Sequence, residues 1–331
     1  MLHIGPHKTG STAIQVALFA ARDALLEHGV YYPGKARRPR AASEELFRAV
    51  KKGDTGALKR WDALVAEVGS AQERVVCVSD EQFGKGSREI VGRIVGELGD
   101  EKAHVVAVAR PLDSYLPSQW QERVKAGRPE TYDEWLRIVF GDQKHFERGN
   151  VWNAHDTQRL VDRWLAFVPP ERFTLIVANE SDRNQLPRVF EQLLGLPDGL
   201  LELVPDKSNQ SLVLAEVELI RGVNRALREQ GLPLAKYQPW LKHAVRAASA
   251  YDGPRPGPRK PLMPAWADEL VRERSDARVE AVKNLPVNVV GDPEWLRARP
   301  AETGDVDVAE LQVSATLAGD ALARAITDAL S

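Results

Sequence analysis

Five short apolar runs punctuate the first 180 residues of the chain: Leu2 to Ile4, Val30 to Tyr32, Arg74 to Ser79, His104 to Ala109 and Arg172 to Ala178. Longer stretches of helical character separate them. The first, Ala13 to Leu26, places Ile14, Ala17, Leu18, Ala21 and Leu25 at helical spacing. Runs that are continuously apolar, without a polar alternate position, are strands buried on both faces. Helices between them supply that cover, which predicts an α/β fold with a central parallel sheet flanked by helices.

Beyond this alternation the pattern turns helical. Gln210 to Gln230 carries Leu212, Leu214, Val217, Ile220, Val223 and Leu227 along one predicted helix, with Ser208 or Asn209 as its N-cap. The Asp252-Gly253-Pro254-Arg255-Pro256-Gly257-Pro258 segment excludes regular structure between Tyr251 and Pro264. A helix over Ala265 to Val282 follows, then an Ala-rich helical stretch from Leu311 to Leu330. The organisation expected is an α/β domain over 1–250 and a mostly helical extension over 251–331 packed on it. No internal repeat is visible.

Charge narrows the possible partners. The 331 residues hold 45 Lys plus Arg against 47 Asp plus Glu, a net charge of −2. That balance speaks against a general nucleic-acid coat or a polybasic membrane anchor, and leaves room for a local basic pocket. A single cysteine, Cys77, excludes an intrachain disulfide and Cys-rich zinc sites. Its setting in Val75-Val76-Cys77-Val78 predicts a buried strand thiol. No apolar stretch approaches the roughly 20 residues of a membrane helix. Met1-Leu2-His3-Ile4-Gly5 has no basic leader region, so a cytoplasmic chain is expected.

The first strand runs into Gly5-Pro6-His7-Lys8-Thr9-Gly10-Ser11-Thr12, and a helix follows directly. Such a loop is built to cradle an anion. Glycine lets the backbone approach closely, the first N–H groups of the helix point outward, and the helix dipole favours negative charge there. Lys8 adds a point charge; Thr9, Ser11 and Thr12 add hydroxyls. The order differs from a Walker A loop, because Lys8 precedes Gly10 where that motif puts its lysine after the glycine.

Two further strands end in chemistry. Arg110 closes the His104 to Ala109 strand, where the ligand crevice of an open parallel sheet lies, and its planar fork suits a phosphate. Ser118 lies eight residues on, expected at a helix start turned toward the same crevice. The Arg74 to Ser79 strand runs into Asp80 and Glu81, carboxylates expected to face that crevice too. The basic stretch Lys35-Ala36-Arg37-Arg38-Pro39-Arg40 reads as a solvated surface turn. His145, His155 and His243 are scattered and read as structural.

The segment His3 to Gln15 resembles the 5′-phosphosulfate loop of sulfotransferases, the enzymes that use 3′-phosphoadenosine 5′-phosphosulfate (PAPS). The nearest likeness is to bacterial members related to carbohydrate sulfotransferases. In that family an Arg closes a strand and a Ser eight positions later helps it hold the 3′-phosphate; Arg110 and Ser118 match that spacing, with Pro111 and Tyr115 adding to the likeness. The resemblance covers residues 1–240 with falling clarity and implies a P-loop-like three-layer fold.

Carried over residue by residue, the resemblance makes Pro6, His7, Lys8, Thr9, Gly10, Ser11 and Thr12 the loop around the 5′ end. Arg110 and Ser118 take the 3′-phosphate, and Lys207 and Ser211 are late-loop contacts to PAPS. Lys8 stabilises the leaving oxygen, Glu81 is the base with Asp80 as the neighbour able to replace it, and His7 lines the loop as a lesser candidate base.

The implied reaction moves a sulfuryl group from PAPS to a hydroxyl or amine of a glycan, glycolipid or small acceptor. Positioning and electrostatics carry such a transfer, and no metal is required. Trp120, one turn past the phosphate motif, is a candidate surface for a sugar ring. Two other readings are a nucleotide kinase with Asp80 holding magnesium, and a nucleotide-binding protein of the same fold without turnover.

Overall fold

A computed structural model describes residues 1–54, 56–141, 151–203, 212–250 and 257–299, and the isolated positions 253, 255, 303, 304, 311, 318 and 319. Chain order begins with β1 (Leu2–His3), α1 (Ser11–Ala20), α2 (Arg22–Glu27), β2 (Val30–Tyr31), α3 (Arg40–Lys52) and α4 (Lys59–Ser70). It continues with β3 (Val75–Val76), β4 (Val78–Ser79), α5 (Arg88–Leu98), β5 (Val105–Ala109), α6 (Leu112–Lys125) and α7 (Tyr132–Phe140). Then come α8 (Trp152–His155), α9 (Thr157–Leu165), β6 (Phe173–Val177), α10 (Gln185–Leu194), α11 (Leu214–Glu229), α12 (Leu234–Ala250), α13 (Ala265–Lys283) and β7 (Asn288–Val290).

The expected α/β architecture is present. Five parallel strands form a sheet in the order β4-β1-β5-β6-β7. Leu2 faces Val78 on one side and Val105 on the other, and β5 pairs with β6 over its whole length, Val105 with Phe173 through Ala109 with Val177. The chain enters at β1, crosses to β4, and returns to β5 on the opposite side. The strand order therefore reverses at β1, and ligands of open α/β sheets bind outside the carboxyl ends at such a reversal.

Alternation along β5 shows why both faces are covered. Val105, Ala107 and Ala109 join one buried cluster, with Trp61, Phe83 and Trp164. Val106 and Val108 join the other, with Ile14, Leu18 and Phe190. Each such large side chain contributes about 1.5–3 kcal/mol by leaving water. Cys77 belongs to the second cluster, fully buried, and burial pushes its thiol up to about 12.

Several expectations change. The Val30 to Tyr32 run does not enter the main sheet; β2 pairs with β3 in a separate two-stranded ribbon. The Arg74 to Ser79 run splits, because Cys77 N donates to Tyr31 O while the next residue, Val78 N, donates to Met1 O. Consecutive residues thus serve different sheets. The first helix is broken at Ala21 into α1 and α2. The long late helix starts at Leu214 with Val213 as N-cap, not near Gln210. Both α12 and β7 escaped the sequence pattern.

The chain divides into two compact units and not by one cut near residue 250. One gathers described residues from Met1–Leu112, Arg148–Val204 and Glu273–Ala298, and holds the whole main sheet. The other gathers them from Asp113–Glu147, Pro205–Arg272 and Arg299–Ser331 and, among the described residues, is helical. Residues after 250 serve both units because β7 completes the sheet edge beside β6. Within the second unit, Thr131 caps α7 reciprocally with Glu134, and Asn224 Nδ2 donates to Val124 O at 2.8 Å.

Candidate functional site

The loop from Gly5 to Thr12 leaves the carboxyl end of β1 at the point where strand order reverses. Its backbone is bent three times into the left-handed region, at Gly5 (φ 78°), Lys8 (φ 67°) and Gly10 (φ 98°). Lys8 has a Cβ and still adopts this conformation, the kind of local strain that marks functional loops. Gly10 is the N-cap of α1 and no side chain caps that helix. Ala13 N donates to Gly10 O at 3.0 Å; the Ser11 and Thr12 N–H groups before it are ones an α-helix leaves without an intrahelical acceptor, and they are oriented for an anion.

The hydroxyls behave differently from expectation. Thr9 Oγ1 donates to Pro6 O at 2.7 Å and Ser11 Oγ to the same carbonyl at 3.3 Å, both from buried positions. Those protons shape the loop. Thr12 stays exposed, and His7 and Lys8 are half-buried. His7 Nδ1 is buried and has no hydrogen-bond partner among the described residues. Desolvation, reinforced by Lys85, lowers the His7 pKa to about 3, so its ring is neutral at physiological pH.

The second motif arrives at the same loop. Arg110, directly after β5, donates from Nη1 to Lys8 O at 3.0 Å. Its Nε pairs with Glu180 Oε1 at 2.5 Å, and Glu180 follows β6. Arg278 Nη1 donates to Arg110 O at 2.6 Å from α13. The carboxyl ends of β1, β5 and β6 are thereby joined by side chains that the sheet order makes neighbours.

The carboxylates after β4 complete the edge. Glu81 is buried, and its Oε1 lies 2.9 Å from Arg38 Nη1 and 3.8 Å from His7 Nε2. Gln15 Nε2 donates to Glu81 Oε2 at 2.8 Å. Burial would raise this carboxyl, but the Arg38 charge and the Gln15 hydrogen bond outweigh it and hold the pKa below the ordinary 4.5. Asp80 has no exposed surface and accepts from Arg38 Nη1 (2.9 Å), Ser43 Oγ (2.5 Å) and Gln82 N (2.9 Å). Desolvation dominates there and raises its pKa. Lys85 is exposed by area, yet desolvation outweighs the pull of Glu81 and lowers its pKa.

So the fold brings together Pro6, His7, Lys8, Thr9, Gly10, Ser11 and Thr12 as one loop, with Arg110 tied to Lys8 and Glu81 ion-paired near His7. Ser118 lies in the other unit, half-buried well inside α6 and not at a helix start. Lys207, Ser211, Ser208, Asn209 and His145 lie outside the described residues. Trp120 is core: it is 1% exposed, with Nε1 donating to Glu130 O at 3.0 Å, and offers no face to a sugar.

Sequence reasoning missed Arg38, Gln15, Lys85 and Glu180. Glu180 had a usable signal, since it follows a parallel strand as Arg110 and Glu81 do. Arg38 sat in a basic run read as a solvated turn, but its guanidinium spans both Asp80 and Glu81. No cluster of three potential metal ligands exists among the described residues, and no described helix is long and apolar enough to cross a membrane.

No family model matches the chain, and no curated protein does. Among solved structures, a sulfotransferase from Alicyclobacillus acidocaldarius is similar at 16% sequence identity, over 72% of this chain and 98% of that one, with a TM-score of 0.41. A likeness that loose carries no weight for what this chain does.

Proposed function

We propose that the protein is a sulfotransferase that moves a sulfuryl group from PAPS to a hydroxyl or amine of an acceptor, a glycan or glycolipid. One observation carries the reading: the uncapped loop-to-helix junction after β1 and the arginine after β5 meet through the Arg110–Lys8 hydrogen bond, at the reversal of strand order. The residues suit a doubly anionic nucleotide. The orphaned His7 Nδ1, the backbone of the Lys8 turn and the first turn of α1 form the 5′ half, and Arg110 serves the 3′-phosphate.

When bound, PAPS supplies an activated sulfuryl group whose departing oxygen gathers negative charge. Lys8 and the α1 N–H groups stabilise charge at that position. Glu81 takes the proton from the acceptor hydroxyl at Oε1, the oxygen that faces His7, and His7 stays neutral beside it. Ser118, Lys207 and Ser211 are proposed as further contacts to the nucleotide. The kinase reading is weaker, because both Asp80 oxygens already accept from Arg38, Ser43 or Gln82.

The test is a thermal shift with 3′-phosphoadenosine 5′-phosphate (PAP). At a hundredfold excess over Kd it raises stability by about 2.7 kcal/mol. 5′-AMP, which lacks the 3′-phosphate, shifts the melting temperature much less, and ATP with magnesium does no better than AMP. No shift with PAP, or an equal shift with AMP, overturns the assignment. If PAP binds but ³⁵S-labelled PAPS yields no product across glycans, lipids and phenols, the protein is a binder without turnover.

A further inference from the structure

The inward face of α1 is not wholly apolar. Ser11, Ile14, Gln15, Ala17 and Leu18 are its buried residues, and Gln15 is 3% exposed. A long side-chain amide at a core position costs free energy unless it is hydrogen-bonded, and a leucine or methionine would fill the same space at lower cost. What Gln15 reaches explains why an amide stands there. Its Nε2 donates to Glu81 Oε2 at 2.8 Å and to Ser79 Oγ at 3.2 Å. Ser79 Oγ in turn lies 2.7 Å from His3 Nδ1. Glu81, Ser79 and His3 are all buried.

We propose that Gln15 is a positioning residue for the proposed base: it fixes the Glu81 carboxylate against α1, the helix whose first turn is the anion cradle. The proposal rests on the sulfotransferase reading and adds to it a residue that never touches substrate.

Three features support it. The first is proton accounting. A primary amide nitrogen carries two protons, and the two acceptors within reach use both. Charge settles which way the amide points, since its oxygen turned toward Glu81 would set two acceptors against each other. Leucine or methionine supplies no donor there, and glutamate would set a second carboxylate against the first.

The second is the hold on both oxygens. Arg38 Nη1 takes Glu81 Oε1 at 2.9 Å while Gln15 takes Oε2. The turn bearing Arg38 is pinned in its own right, by Tyr32 Oη donating to Arg37 O at 2.5 Å. A carboxylate gripped at both oxygens is held against rotation, and Oε1 stays on the His7 side, 3.8 Å from Nε2. A base kept in one orientation meets the acceptor proton without reorganising.

The third is that this arm is uncharged. Burial holds His3 down to about 4, so its ring is neutral at physiological pH. The chain from His3 through Ser79 to Gln15 orients Glu81 and adds no charge to the site.

Carbon-13 NMR of the full chain labelled at glutamate Cδ, with Glu81 assigned by Glu81→Gln, tests this over roughly pH 4 to 8. Gln15→Leu removes the donor and keeps every charged or titratable group that faces Glu81: His3, His7, Arg38, Arg40, Asp80 and Lys85. The Glu81 midpoint should rise by about one to two units, the scale of one hydrogen bond to a charged group. Gln15→Glu sets a like charge there and should raise it further. PAP affinity by calorimetry should stay unchanged. The single-turnover release of label from ³⁵S-labelled PAPS, to water or to an acceptor, should fall by about tenfold to a hundredfold. Ser79→Ala takes away the second acceptor of the amide and leaves Glu81 its own bond. It should move the midpoint the same way by less, and it carries the test if Gln15→Leu does not fold.

A midpoint that these variants leave in place, or a moved midpoint with release at the wild-type rate, overturns the positioning role. A moved midpoint in a chain that binds no PAP and releases no label upholds the Gln15 hold on Glu81 and overturns the sulfotransferase reading instead.

Discussion

The guanidinium of Arg110 donates to the main-chain carbonyl of Lys8 at 3.0 Å across 102 positions of sequence. Its charge and the strained lysine turn are therefore one device. Arg110→Ala removes the proposed phosphate ligand and unfastens the loop, and PAP affinity should fall at least about tenfold, the scale of one lost hydrogen bond to a charged group. Arg110→Lys keeps the charge without the fork, so it should recover only part of the affinity. Titration calorimetry checks both. Wild-type affinity in either variant would separate the arginine from the nucleotide.

Arg38 carries a prediction in stability and one in pH. It bridges Asp80 and Glu81 from a single nitrogen, 2.9 Å from each. Arg38→Gln leaves Asp80 buried without its cation, and removing one partner of a buried pair costs about 3–5 kcal/mol, measurable by urea unfolding. Glu81 titrates below 4.5 because Arg38 leads the groups that overcome burial. A base must be deprotonated to act, so the acid limb of the pH–rate profile lies below that value in the wild type. Without Arg38, burial dominates and the limb should move to higher pH. An unmoved limb would take Glu81 out of the base role.

How much of this was legible follows from what period and position encode. The parallel sheet was readable because Val105 to Ala109 and Phe173 to Val177 are apolar at every step but Thr174, and a strand buried on both faces needs that. Arg110 and Glu81 were readable because carboxyl ends of such strands face ligands. The departure of β2 into its own ribbon was not, since Val30 is as apolar as any main-sheet residue and the choice is made by Tyr31 O accepting from Cys77 N. β7 is only three residues long and half-exposed, too little pattern to find. Arg38 looked like any surface arginine, because nothing local reports that two carboxylates at positions 80 and 81 fold against it.

Buried histidines set the acid stability. Desolvation is the leading cause for each: His3 is lowered to about 4, His7 to about 3, and His155 lies well below 6.5. A histidine whose folded pKa is depressed contributes stability that is full above 6.5 and is lost as pH falls toward the folded value. Each removes up to about 1.4 kcal/mol per pH unit in that window. Asp80, raised on folding, works in the opposite sense. Urea midpoints should therefore drop from pH 6.5 to 5 as unfolding takes up protons at these rings. His3→Gln should reduce that uptake by one. A flat profile over this range would mean that the three rings are not buried neutral.

The last prediction concerns the backbone where the anion loop meets the base strand. Gly5 holds φ at 78°, and a Cβ built there would come within 2.6 Å of Glu81 Cβ and 2.8 Å of Glu81 Cα. No rotamer change relieves a clash with main chain, so Gly5→Ala must move the loop, the Glu81 strand end, or both. The left-handed conformation alone costs an alanine about 1 kcal/mol or more, and the clash adds to it. Turnover should fall further than stability explains, because the shift separates Lys8 from Glu81, the two groups proposed to serve the leaving and attacking oxygens. Gly34→Ala is the control: φ there is 82° and nothing lies within 4 Å of an added Cβ, so it carries the conformational cost without the clash. If the two variants lose stability and activity equally, the close approach of loop and base strand has no part in positioning the site.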